Sequence, residues 1–527
     1  MSNFKTRALM GVSALAAASA LAAGAQATTV LNGDGSSLVA PALAQLTGCW
    51  DNVVSPATPL APNGQYYNKA ANGQNTLTTP PATSPSCSNN TPGAPASFVY
   101  VSTGSGVGQV TLFAHNGGIT QIGATVPLSG LDPISGLAEY GAAQYAFSDN
   151  AMADADIGVY NFGTGVSYTP PNSRPVVTTA ATYQGLQFGA GATAIPAPLY
   201  GALVQFPVTI DPVDLAYNSS GLTGLSGTLV LDRDAYCKIF TGGITDWSSS
   251  ELATLNGLSG SGSDTLTGTA ANGSAHPIEV VVRSDSSGTS SIFTRHLARV
   301  CDGVLGGTAN NPYKAGVTTF PAALTTGIPD QVAESGSGGV AGEIHNTAGA
   351  IGYLGNDYVS TAANTFSLPA AQLFNDTAVT MDSSPIAPSS SAALTAFGGV
   401  SLPSDVTDAF QWAQSPDKTV ELADPSTPGS YPIVGSSQFL GYTCYATVDT
   451  VNSLRDFFNY LYGANGQAII TADGLAPLPS SWTDLIKTTF LDPEAFGDVS
   501  TALADVTGNT GDDAGDTNST CTGLTGG

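Results

Sequence analysis

The chain has 527 residues, 13 Lys and Arg against 39 Asp and Glu, and a formal charge of −26. Charged residues are only 10% and hydrophobic ones 42%, which suits more than one domain with sizeable cores behind a neutral, polar surface. Such acidity excludes nucleic acid and anionic membranes as partners, but leaves room for a local cationic site where backbone N–H groups carry most of the potential.

Lys5 and Arg7, the small apolar run Ala8 to Ala23 and Ala25-Gln26-Ala27 read as a secretory signal peptide over 1–27, cut after Ala27. Cleavage makes the chain two charges more negative and places it in the periplasm or outside the cell. No cysteine follows the cleavage point, so no lipid anchor is expected, and no later segment is apolar enough to cross a membrane. "TTVLNG" is a short strand, and "DGSSLVAPALAQLTGCW" a loop followed by a helix. Residues 51–96, rich in Pro, Asn, Ser, Thr and Gly, read as a surface insertion. "SFVYVSTGSGVGQVTLF" is a strand and a glycine-rich turn leading into a helix or a second strand, and "YAFSDNAM" a strand end tipped by Asp149. A second Gly/Pro/Thr-rich insertion covers 160–200.

"LVQFPVTIDPVDLAYN" reads as two strand runs interrupted by prolines. "LVLDRDAYCKIFTGGITDW" gives a strand, a helix and a turn, and "GAIGYLGNDYV" and "YPIVGSSQFLGYTCYATVD" give further strands. In "VNSLRDFFNYLYGANGQAII", Leu454, Phe457, Phe458, Leu461 and Tyr462 share one helix face. The acidic end, 503–527, reads as a solvated tail tied down by Cys521, without the spacing of an EF-hand. Strands alternating with helices imply an α/β fold.

Six cysteines in an exported chain imply disulfides. About fifteen pairings are open, and pairing of sequence neighbours gives Cys49–Cys87, Cys237–Cys301 and Cys444–Cys521. The absence of CxxC and the scattering of His115, His276, His296 and His345 leave no metal or cofactor motif.

The densest chemistry lies in "VVVRSDSSGTSSIFTRHL", Val280 to Leu297. A helix begins near Ser287, with Ile292, Phe293, Leu297 and Val300 on its buried side. Its first-turn N–H groups carry the positive end of the dipole and form an anion site. Ser287 and Thr289 add hydroxyls, and Gly288 allows close approach. Arg283 can offer a bidentate fork, with Asp285 placed to hold it. The plainer reading is a capped helix beside an ordinary ion pair.

Three further segments, "GDGSSLVAP", "STGSGVG" and "FSDNAM", resemble in this order the Pst-type phosphate-binding proteins of bacterial phosphate ABC importers. The likeness extends through the crossover segment, Leu203 to Trp247, and through "AGAIGYLGNDYV" and "YPIVGSSQFLGY". It implies phosphate contacts from the Ser37 hydroxyl, the Leu38 backbone N–H, Ser105, Asp149, Arg283, Ser287, Gly288 and Thr289. Two departures stand out: the family usually has Gly where Ser286 stands, and a Thr or Ser, an aromatic and Pro where Ser37-Leu38-Val39 stand. "GAGATAIPAPLY" (Gly189 to Tyr200) resembles the same N-terminal loop but falls out of order.

The resemblance also implies a two-lobed type II periplasmic-binding-protein fold with the anion in the cleft. Lobe 1 would be 28–208 with 431–527, and lobe 2 would be 209–430. The implied protein is a monomer and not an enzyme, with importer permease subunits as partners. The alternatives are a secreted or surface phosphate binder without an importer, and an exported phosphatase.

Overall fold

The computed structural model describes residues 29–50, 64–69, 75–78, 96–114, 143–152, 157, 182–183, 186–187 and, with short breaks, 200–526. The signal-peptide segment, Cys87 and the rival loop at 189–199 lie outside the described residues. The principal sheet has ten strands: β1 Thr29–Gly35, β2 Gly64–Lys69, β3 Asn75–Thr78, β4 Ala96–Ser102, β5 Tyr145–Ser148, β6 Leu203–Tyr217, β7 Glu279–Arg283, β8 Gln331–Glu334, β9 Ala350–Gly355 and β10 Val434–Tyr442. Their spatial order is β8-β7-β9-β6-β10-β5-β1-β4-β2-β3. β1 runs parallel to β4 and β5, and β7 parallel to β8 and β9. β6 and β10, antiparallel to each other, join these two groups. The fold is a mixed α/β one.

The two strand runs expected around the prolines are one continuous strand, β6. Its residues from Leu203 to Pro212 pair with β10, and those from Val213 to Tyr217 with β9. Both prolines sit where a missing N–H is tolerated. Pro207 adjoins a bulge, since Ser437 opposes Thr209 while Gln438 opposes Pro207. Pro212 is the last residue paired with β10 before the strand changes partner.

The segment 51–96, expected as a surface insertion, contributes β2 and β3 to the sheet edge. Its "GQYYNK" run has strand propensity that the surrounding Pro and Asn obscure. The acidic end is more than a solvated tail. Ala502, Leu503, Ala504, Asn518 and Cys521 are buried, Ala504–Asp505 pairs with Cys444–Tyr445, and Asn518 Nδ2 donates to Ala502 O at 2.8 Å. The apolar residues between the polar repeats are what pack. Disulfides join Cys237 to Cys301 and Cys444 to Cys521, with Cα separations of 5.6 and 5.3 Å.

Helices follow the parallel strands: α1 Ala40–Trp50 after β1, α2 Ser105–Ala114 after β4, α3 Gly288–Val300 after β7 and α4 Gly336–Asn346 after β8. The turn after "STGS" therefore opens a helix. α3 starts as its sequence implies: the Ser287 hydroxyl caps it by accepting from Ser290 N at 3.1 Å, and Ile292, Phe293, Leu297 and Val300 are buried. Phe293 stacks on Tyr353 at 4.6 Å between ring centres. A second aromatic cluster joins Phe206, Phe439 and Phe458, with centroids 4.8 to 5.1 Å apart. Phe458 and its neighbours Leu454, Phe457 and Leu461 lie on α5, Val448–Leu461.

Candidate functional site

The carboxyl ends of β1, β4, β5, β7 and β8 converge, and the turns that follow them touch. Open α/β sheets bind ligands outside such ends, and the N-termini of α1 to α4 add positive potential there. Gly106 N donates to Ser286 O at 3.1 Å, Ser291 Oγ to Asn150 Oδ1 at 2.8 Å, and Ser337 N to Ser37 Oγ at 3.1 Å. A Cβ at Gly288 would stand 2.4 Å from Ser105 Oγ and 2.7 Å from the Asp149 Cβ. Only glycine permits that approach.

Arg283 is buried and forked onto Asp285. Its Nε donates to Oδ1 at 2.7 Å and its Nη2 to Oδ2 at 2.6 Å. Gly336 N also donates to Asp285 Oδ1, at 3.0 Å. Burial pushes the Asp285 carboxyl up, but the Arg283 charge and fork outweigh it and hold the group below its ordinary value. The remaining nitrogen, Nη1, donates to Ser337 Oγ at 3.1 Å and to Thr289 Oγ1 at 3.4 Å. Asp285 thus aims the guanidinium so that its unforked edge faces hydroxyls.

Asp149, also buried, stands just beyond β5. Its Oδ1 accepts from Ser36 Oγ at 2.5 Å and Ser437 Oγ at 2.7 Å. Among the described residues its Oδ2 has only a longer contact with Ser105 Oγ, at 3.4 Å, and so keeps acceptor capacity. Burial raises this carboxyl above its ordinary value against the opposing effects of Ser36, Ser437, Arg283 and Ser105. The carbonyls of Ser36 and Ser37 are tied up by Tyr100 Oη at 2.7 Å and Tyr358 Oη at 3.0 Å.

All eight sequence-derived contact residues fall in this neighbourhood. Ser105, Asp149 and Gly288 adjoin directly, Arg283 and Ser37 meet at Ser337, and Thr289 bonds the same Arg283 nitrogen. Two hold other partners in this structure: Leu38 N donates to Ser36 Oγ at 3.0 Å, and Ser287 Oγ accepts the capping bond. Ser286, where the resembled family usually has Gly, donates its hydroxyl to Thr318 Oγ1 at 2.9 Å.

The PBP superfamily domain matches residues 82–465, most of the chain. The chain belongs to the PBP superfamily. Among curated relatives, alkaline phosphatase L of Pseudomonas aeruginosa strain UCBPP-PA14 is 30% identical over 302 residues, 55% of this chain and 68% of its own. A phosphate-binding protein from an unknown prokaryotic organism is 29% identical over 413 residues, covering 71% and 94%. Among solved structures, a high affinity periplasmic phosphate-binding protein bound with phosphate aligns with a TM-score of 0.57 at 22% identity, covering 90% of this chain and 96% of its own. That structural likeness carries the PBP fold.

Within this PBP frame, four residues at the site escaped the sequence reading: Ser36, Ser337, Ser437 and Asp211. Ser36 adjoins a residue that was singled out. Ser337 had a usable signal, because "ESGSGG" repeats the strand, serine-glycine turn and helix pattern of the other loops. Ser437 and Asp211 lie inside strands, where no local pattern marks them.

Proposed function

We propose that this PBP superfamily member binds inorganic phosphate, as the hydrogen phosphate ion, and delivers it to an ABC-type importer. The ion would lie between Ser37, Leu38, Ser105 and Asp149 on one side and Arg283, Ser287, Gly288 and Thr289 on the other. In this reading 28–208 with 431–527 and 209–430 are two lobes that close on it, and the protein acts in the periplasm or outside the cell.

One observation carries the reading: a buried carboxylate with a spare acceptor oxygen shares a site with a buried, pre-aimed arginine. Arginine and helix N-termini attract any oxyanion. A carboxylate repels one unless the ligand brings a proton to donate. Hydrogen phosphate has that proton and sulfate at neutral pH does not. The relatives named as phosphate-binding proteins support the same ligand.

A second reading, phosphate-ester hydrolysis, is favoured by the relatives named alkaline phosphatase L. A serine nucleophile needs an activating base or metal. Here Ser36 and Ser437 donate to Asp149, while Ser37 meets Ser337. His296 is buried between Tyr236 Oη and the Ala423 carbonyl, 2.9 Å from each. We therefore favour a binder that does not turn over its ligand. A third variant of the reading, a secreted binder with no importer, shares this site and differs only in location.

Calorimetric titration of the mature chain with phosphate and sulfate tests the ligand, and a chromogenic phosphate ester tests turnover. The expected outcome is tight phosphate binding, weak sulfate binding and no hydrolysis. Asp149→Asn is expected to reduce the preference for phosphate over sulfate by at least ~tenfold, because the spare acceptor becomes part of an amide. Unchanged selectivity would remove Asp149 from the role assigned to it.

A further inference from the structure

The carboxyl that faces the candidate ligand position is not alone. Asp211, on the crossover strand β6, is fully buried and reaches the same serine: Ser437 Oγ lies 2.7 Å from Asp211 Oδ2 and 2.7 Å from Asp149 Oδ1. Thr209 Oγ1 donates to the other oxygen, Asp211 Oδ1, at 2.6 Å, and the Ser437 backbone N–H also donates to the carboxyl. A serine hydroxyl has one hydrogen and cannot donate to two carboxylates at once. With both acids ionised, one of them would face a lone pair at hydrogen-bonding distance. A proton on one acid resolves the conflict, since that acid then donates to Ser437 and Ser437 donates to the other.

The surroundings decide which acid holds the proton. Asp149 receives the Ser36 hydroxyl and feels the Arg283 charge. Among the described residues the charged groups facing Asp211 are acidic: Asp149 through the serine, and Asp357, itself among Asp473, Asp149 and Asp214, the last on the same strand as Asp211. Burial first, and then the Asp149 charge, push Asp211 up to about 7.

We propose that Asp211 is a positioning residue for phosphate recognition: its proton, passed through the Ser437 hydroxyl, keeps Asp149 an oriented acceptor, and phosphate binding takes up a proton at Asp211. The inference rests on the phosphate-binding reading above. Its sign follows from charge. A bound dianion disfavours a second ionised carboxyl nearby, so Asp211 holds its proton more strongly in the complex. Affinity then falls as pH rises past the free-state value of about 7, by up to ~tenfold per pH unit until the bound-state value is reached. Asp211→Asn mimics the protonated acid permanently. Its amide N–H can donate to Ser437 while its oxygen still accepts from Thr209.

The test is calorimetric titration of phosphate into the full mature chain and the Asp211→Asn variant at about pH 6, 7 and 8. Each pH is run in two buffers of different ionisation heat, so that protons taken up are counted. The ligand's own ionisation is common to both proteins and cancels in the difference. Near pH 6 the two affinities should agree within about twofold, and by pH 8 wild type should fall ~5–10-fold relative to the variant while taking up more protons. Equal proton uptake and parallel pH profiles would overturn the proposal. Should the variant not fold, infrared difference spectra of wild type on phosphate addition near pH 7.5 decide the matter. A gain in the protonated-carboxyl C=O band supports the proposal, and no gain overturns it. If wild type binds no phosphate at any pH, the phosphate-binding reading itself fails and takes this inference with it.

Discussion

Asp211 is fully buried and the Asp285 side chain nearly so, at 9% exposure, yet loss of water has opposite outcomes for these two like acids. Asp285 is gripped by two parallel bonds from Arg283 and sits below its ordinary pKa. Asp211 has hydroxyls, the Ser437 backbone N–H and other acids around it among the described residues, and no cation, and is pushed up to about 7. Burial alone therefore does not set the charge of a carboxyl; the charge of its partner does. One side of the site is electrically fixed, while the other can take and release a proton in the neutral range.

The sharpest way to break this comparison is to turn Asp285 into a second Asp211. Arg283→Met removes the cation and leaves the carboxyl buried. We expect a stability loss of ~3–5 kcal/mol by denaturant unfolding, and loss of at least ~100-fold in phosphate affinity by calorimetry. A loss under ~1 kcal/mol would mean that Asp285 is solvated or protonated at little cost, and the contrast would collapse.

Heating the protein across pH tests the other half. Asp149, Asp211, Asp214, Asp357 and Asp473 all have pKa values raised chiefly by burial. From the ordinary carboxylate value up to their folded values, the native state holds more protons than the unfolded one, so stability falls as pH rises. Asp285 has the opposite sign: its contribution is present above the ordinary value and is lost only as pH falls through its lower folded value. The expected result is a Tm several degrees higher at about pH 5 than at about pH 8, with a decline in stronger acid. A Tm that rises steadily from pH 5 to 8 would show that these carboxyls are ionised in the fold.

The smallest effect comes from Thr209→Val. It removes one hydroxyl that favours ionised Asp211 while keeping the side-chain shape, and should move the pH edge of phosphate affinity upward by less than ~1 unit. An edge that stays in place would show that Thr209 serves the strand and not the acid.

Much of the paired side could be read in the sequence. Arg283, Asp285, Ser287, Gly288 and Thr289 lie within seven residues at a strand-to-helix turn, and local rules of capping and dipole apply to them. Local rules alone leave Ser37, Ser105 and Asp149 as residues of ordinary turns, caps and strand ends; what marks them is the order of their segments, which resembles that of the Pst-type phosphate-binding proteins. The Ser437–Asp211 contact was beyond reach because it joins residues 226 apart on two paired strands, and its register depends on a bulge that no local pattern announces. Local rules also misled. The prolines of β6 suggested a break, and the polar composition of 503–527 suggested a solvated tail. In the first case a bulge and a change of partner absorb the missing N–H groups; in the second, a few apolar residues and the Cys444–Cys521 bond outweigh the average composition.

The course of β6 has a mechanical side. A long ribbon bends where its rungs are missing, and β6 lacks an amide hydrogen at Pro207 and again at Pro212, with an unmatched residue just past the first. Asp211 lies inside that interval, and Ser437 sits at the matching irregularity on β10. The Ser437 hydroxyl and the Asp211 carboxyl therefore meet beside the place where the pairing of the two strands is irregular. A shift of register there would change the distance between the two oxygens, and so would be felt as a change of acidity.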